Sequence, residues 1–174
     1  MEITLKPRLV TALCAPHAGR DEAALLTARL AVGRAVTVLD CGNRFNGYRL
    51  MQHLRLLLPD PSEAIRRVFV RRAFTCHQVA TLLGETPPRP EPCIILDLLA
   101  TFHDENVPLP EASRLLEECL RQVERLAMTA PLLITFPPPR PNDRMCFVER
   151  LEAAVEALYT VELPASPSPQ PALF

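Results

Sequence analysis

Solid apolar runs alternate along this chain with stretches whose apolar residues recur every three to four positions. The runs "RLVTALCAP" (8–16), "AVTVLDCG" (35–42), "CIILDLLATF" (93–102) and "PLLITF" (131–136) read as buried strands. In "RRVFVRRAF" (66–74), Val68 and Val70 alternate with Arg71, and "YTVEL" (159–163) makes a sixth strand. Helices are expected at 21–32, 46–58, 75–85, 109–130 and 146–158. Their end signals are specific. Asp21 and Glu22 fall in the first turn of the first helix, Pro59 follows the second, and Thr75 is placed to cap the third. Over 109–130, Leu115, Leu116, Cys119, Leu120, Val123 and Leu126 share one side.

Strands that alternate with helices and read as continuous apolar runs predict a mostly parallel sheet of about six strands, with helices on both faces. "CIILDLLATF" is the most apolar run and is expected at the centre. The length of 174 residues suits one domain, expected over 1–163, before a Pro/Ser-rich tail (164–174) expected to be disordered. No internal repeat or second domain is evident. In such sheets ligands bind at the carboxyl ends of the strands.

Composition changes this picture little: 48% apolar and 22% charged residues are ordinary for a globular domain. No run approaches the roughly 18 apolar residues of a membrane span, and "MEITLKPRLV" lacks a signal-peptide layout. A cytoplasmic protein with no membrane partner is expected. None of the six cysteines forms a C-x-x-C pair, so they read as reduced and mostly buried. Cys76–His77 is no metal spacing, and "HDEN" (103–106) reads as a solvated loop more than a metal site. No nucleophile–base triad can be argued from spacing. No catalytic set and no metal set are expected.

Charge adds an asymmetry. The net charge of −1 divides into twelve basic and six acidic residues over 1–72, and seven basic and fourteen acidic over 73–174. Two readings follow: head-to-tail stacking or a basic face for nucleic acid, or local pairing within the fold. Arg66, Arg67, Arg71 and Arg72 border the third strand, and Arg44 and Arg49 follow the second. All six are candidates for DNA phosphate or partner contact, with solvated edges and acidic neighbours as the plain alternative.

The segment from Leu9 to Val32 has strand–turn–helix form, the layout of a phosphate-binding loop. Against G-x-x-x-x-G-K-[ST], the chain offers Cys14, four residues, Gly19, Arg20 and Asp21. Only the second glycine matches. A helix N-terminus normally meets phosphate with free N–H groups and a positive dipole end. Here Asp21 and Glu22 put carboxylates there, and Pro16 removes one N–H. "CIILD" has the form of a Walker B strand, whose aspartate helps hold Mg²⁺.

Three stretches carry a resemblance to the ATPase core of the RecA/RadA recombinases, in particular the archaeal and eukaryotic branch and its paralogues. They are "VTVLDCGNRFNGYRL" (36–50), "VFVRRAFTCHQVATLL" (68–83) and "CIILDLLATFHDENVPLPEASRLLEECLRQVERLA" (93–127). The second is the most specific, with its Arg-Ala-aromatic followed by His-Gln. The resemblance implies a three-layer P-loop-type fold, ATP at the first turn, and single-stranded DNA bound by loops after the later strands. The chain also departs from the family. The family's P-loop lysine falls on Arg20, its Ser/Thr on Asp21, its catalytic glutamate on Gly42, and its γ-phosphate-sensing glutamine near Pro137. Of the ATP machinery only Asp97 is clearly matched. "PPPRPNDR" (137–144), short and stiff, stands where the family has a long DNA loop.

The expectation is therefore a non-catalytic RecA-like paralogue that binds a protein partner, a recombinase or another copy of itself, in DNA recombination or repair. Gly19, Arg20, Asp21 and Asp97 form a remnant nucleotide site, with no cofactor expected beyond weak ATP–Mg²⁺ binding. The alternatives are a divergent nucleotide-binding protein using Arg20 and Asp97, and a free-standing DNA-binding module.

Overall fold

The computed structural model describes residues 3–161 apart from residue 142. The expected tail at 164–174, and the end of the last expected strand, lie outside the described residues. The chain runs β1 (Val10–Cys14), α1 (Arg20–Ala31), β2 (Val36–Asp40), α2 (Gly47–Leu57), α3 (Ser62–Arg66), β3 (Val68–Arg72) and α4 (Cys76–Glu85). It continues with β4 (Cys93–Leu96), α5 (Leu109–Ala127), β5 (Leu132–Phe136), α6 (Met145–Ala153) and β6 (Ala157–Thr160).

The six strands form one sheet in the order β3-β2-β4-β5-β1-β6, and every neighbouring pair is parallel. Strand residues point alternately to the two faces, and each face meets helices. In β4, Cys93 and Ile95 join the core beneath α4, α5 and α6, whereas Ile94 and Leu96 join the core beneath α1, α2 and α3. Val10, Ala12 and Cys14 of β1 face the first core and Leu13 the second. Burial on both faces is why these strands read as unbroken apolar runs. The fold is the three-layer α/β arrangement of the RecA-like P-loop type.

Local signals worked where the chemistry is local. Thr75 caps α4, its hydroxyl accepting the Gln78 N–H at 3.2 Å. All six cysteines are free thiols, five buried and Cys146 half-buried. Among the described residues, no helix is long and apolar enough to cross a membrane.

Four boundaries differ from expectation. β4 ends at Leu96, not at 102, because Asp97 turns the backbone left-handed at φ 51°. Leu98, Leu99 and Phe102 stay buried as a compact turn, so the apolar run outlasts the strand. The helix at 109–130 stops at Ala127, where the N–H groups of Thr129 and Ala130 both return to the Leu126 carbonyl. α6 stops at Ala153 rather than 158, and β6 starts at Ala157. The half-buried Val155 between them extends the apolar pattern without extending the helix. The five-residue α3, too short to show a period, was not expected at all.

Candidate functional site

The sheet opens at its carboxyl edge on both sides of β2, since β3 leads to α4 on the same face as α5, and again between β1 and β5. The chain leaves β2 for α2 on one face and leaves β4 for α5 on the other, so the connections diverge between these neighbouring strands. They diverge again between β1, which leads to α1, and β5, which leads to α6. Such divergence points form the ligand crevices of open α/β sheets.

At the crevice between β2 and β4 two aspartates end adjacent strands. Asp40 closes β2 and is fully buried. Its Oδ1 accepts the Arg44 N–H at 2.8 Å, and its Oδ2 accepts the Phe45 N–H at 3.1 Å and Arg72 Nε–H at 2.9 Å. Four residues of loop are thereby folded around one carboxylate. Asp97, also 0% exposed, follows β4. Its backbone N–H donates to Thr135 Oγ1 at 3.1 Å, and the Leu98 N–H to the Thr135 carbonyl at 3.2 Å, so β5 fixes the turn. Arg44 Nε donates to Asp97 Oδ2 at 2.7 Å. Asp97 Oδ1 has no partner among the described residues. Burial pushes the Asp97 carboxyl up from its ordinary value, and the bond from Arg44 only partly opposes this.

Gly42 lies directly against this carboxylate. A Cβ placed there would stand 2.5 Å from Asp97 Cβ and 2.7 Å from its Oδ2. The position where the resemblance puts a catalytic glutamate has no room for a side chain while Asp97 keeps its place.

At the crevice between β1 and β5, His17, Ala18 and Gly19 are consecutive left-handed residues, with φ of 54°, 56° and 60°. Gly19 precedes α1 without a capping side chain. Asp21 accepts from Arg20 Nε at 3.4 Å and forms an ion pair with Arg49 at 3.2 Å. A groove of about 540 Å³ opens nearby, lined by Cys14, Pro16, Pro138, Pro139 and Glu152 among others. Its prolines have no N–H to offer and Glu152 is acidic, a donor set that does not suit a triphosphate.

The expected site residues thus divide into two groups. Gly19, Arg20, Asp21 and Arg49 gather at the β1 turn, whereas Arg44 and Asp97 meet at the β4 turn, with Arg72 one aspartate away. The remaining arginines pair locally. Arg66 bonds Glu63 at 3.3 Å and Arg71 bonds Glu85 at 3.0 Å, both exposed. Arg67 donates to the carbonyls of Ala31 and Val32, at 3.3 and 2.6 Å, closing the end of α1.

Asp40, Arg140 and Asp143 are not among the candidates from sequence, and His103 enters there only within "HDEN", read as a solvated loop more than a metal site. Asp40 had the same signal as Asp97, an aspartate ending an apolar strand. His103, Arg140 and Asp143 come from two loops about forty residues apart and meet only in the fold. No protein-family model and no curated protein matches the chain. The fold and this geometry define an α/β domain of the RecA-like P-loop type whose β4 aspartate is bonded to an arginine.

Proposed function

We propose that this protein is a non-catalytic RecA-like subunit that acts by docking a protein partner in DNA recombination or repair. The observation that carries the reading is the bond between Arg44 and Asp97. The carboxylate that resemblance assigns to Mg²⁺ is held instead by a guanidinium, and a cation there would have to displace it. Gly42, closed to a glutamate, and Asp21, ion-paired at the first turn, support the same loss.

Docking is supported by β3. It is an edge strand, and Phe69 (58%) and Phe74 (64%) are exposed on it and just beyond it. Edge strands carry unpaired backbone groups that accept an added strand. The test is sedimentation of the pure protein, alone and mixed with the recombinase of its own host. A complex is expected, lost in Phe69→Glu with Phe74→Glu. DNA-stimulated ATP turnover abolished by Asp97→Ala, or a monomer in every mixture, overturns the reading.

A further inference from the structure

Between the Arg44–Asp97 pair and the loop after β5 lies a pocket of about 130 Å³. It is lined by Arg44, Asp97, His103, Arg140 and Asp143, with Ala100 and Pro137. It lies over the carboxyl ends of β4 and β5, with Arg44 reaching in from the end of β2, and shares no lining residue with the groove at the β1 turn. It has room for several waters or one small polyatomic group.

Its polar groups are built and held. The Arg144 N–H donates to His103 Nδ1 at 3.2 Å, which leaves the ring proton on Nε2 as a free donor. Burial lowers the His103 pKa, which favours the neutral ring. Arg144 is itself fixed, donating to the carbonyls of Phe102 and Val107 at 3.2 and 2.8 Å. The Arg140 N–H donates to Asp143 Oδ2 at 2.7 Å. Among the described residues, the Arg140 guanidinium and the Nη groups of Arg44 make no hydrogen bond. Donors are therefore in surplus, which suits an oxyanion. Asp97, the most buried of the lining residues, has one acceptor, Oδ1, without a hydrogen bond; that atom is enclosed, and a ligand reaches it only as the carboxylate turns toward the pocket.

We propose that this pocket binds a phosphate monoester group, with Arg44, Arg140 and His103 donating to its oxygens and Asp97 accepting its P–O–H. The acceptor sets the selectivity. A monoester has a second pKa of about 6 and retains a proton that a carboxylate can accept. Sulfate has none near neutral pH, nor does an internal phosphodiester of a nucleic-acid backbone. The pocket would therefore distinguish a terminal phosphate from the many diester phosphates beside it. This inference goes beyond the docking reading and does not depend on it.

The experiment is calorimetric titration of the full chain at pH 6.5 with inorganic phosphate and, at matched ionic strength, with sulfate. Phosphate is expected to bind at least about tenfold more tightly, the worth of one charge-assisted hydrogen bond. Arg140→Ala, at an exposed side chain whose loss leaves the fold intact, is expected to weaken phosphate about tenfold with an unchanged melting temperature. Asp97→Asn is expected to bring phosphate and sulfate close together. A short single-stranded oligonucleotide with and without a 5′-phosphate separates the sources. Binding that requires the 5′-phosphate and exceeds that of free phosphate assigns the site to a strand end. Binding no tighter than that of free phosphate assigns it to a small ester. Equal binding of phosphate and sulfate, no binding of either, or phosphate binding untouched by Arg140→Ala overturns the proposal, whether or not a protein partner is found.

Discussion

The turn after β1 and the turn after β4 sit at the same edge of the sheet, and both use left-handed backbone, yet they keep opposite things. The β1 turn keeps shape without buried chemistry. Ala18 and Gly19 are buried among apolar atoms, and its charges, Arg20, Asp21 and Arg49, pair at the half-exposed surface. The β4 turn keeps chemistry. Asp97 remains buried and charged groups converge on it from three segments. A turn can be specified by backbone path alone, with no polar group in its interior. A buried carboxylate persists only where something pairs with it.

Removing that partner should have the largest effect. Arg44→Ala leaves Asp97 buried and unpaired. Breaking a fully buried pair costs about 3–5 kcal/mol. Arg44 is 36% exposed, so about 2–3 kcal/mol is expected at neutral pH. The pH dependence has a definite sign. The Asp97 pKa is already raised in the folded state, so the native protein binds the extra proton and this group favours folding more as pH falls. Arg44→Ala raises that pKa further. Its penalty should therefore be largest at neutral pH and shrink on acidification toward the ordinary carboxylate value of 3.8. Denaturant melts at several pH values check this. A penalty independent of pH, or one not relieved in Arg44→Ala/Asp97→Asn, would contradict it.

The two glycines sharpen the contrast. Gly42→Ala drives a methyl into Asp97, whose backbone is pinned to Thr135. A cost of about 2–3 kcal/mol is expected, near the upper end of overpacking, and it should largely vanish when Asp97 is replaced by glycine, which removes the Cβ at 2.5 Å as well as the carboxylate. Gly19→Ala meets Leu13 Cδ2 at 2.7 Å and adopts φ 60°. The left-handed cost is about 1–2 kcal/mol, and Leu13 can yield at its flexible end, so about 2 kcal/mol is expected with no dependence on Asp97. Equal coupling of both glycines to Asp97 in double-mutant cycles would remove the distinction between the turns.

Much of the architecture was legible because it depends on pattern. β1, β2, β4 and β5 are buried on both faces and had to read as apolar runs. The end of β4 was not legible, since the buried turn at Leu98, Leu99 and Phe102 is as apolar as the strand before it. In the candidate site, Asp97 was visible as an aspartate closing a strand, but its partner was not. Arg44 lies 53 residues away in sequence, and only the pairing of β2 with β4 brings the two together. The meeting of His103 with Arg140 was hidden for the same reason. Part of the charge asymmetry between the halves is met by local pairing, since Arg44 and Arg71 of the basic half bond Asp97 and Glu85 of the acidic half.

The smallest effect is expected at Asp21. Its pairs with Arg20 and Arg49 are half-exposed, at 3.4 and 3.2 Å, and such pairs contribute about 0–1 kcal/mol. Asp21→Thr with Arg20→Lys should therefore change stability by no more than about 0.5 kcal/mol. It removes a carboxylate from the first turn of α1, where the dipole and free N–H groups favour an anion. It also restores the residue types that the resemblance places there. If the β1 turn has kept a usable path, this variant should gain affinity for nucleotide at the α1 N-terminus. The gain should be modest, because Pro16 has no N–H to offer and Glu22 keeps a carboxylate in the first turn of α1. Calorimetry with ATP on both proteins reads the difference. Unchanged weak binding would show that the path itself, and not Asp21, excludes phosphate. Tight Mg–ATP binding by the original protein would show that the β1 turn had kept its chemistry after all.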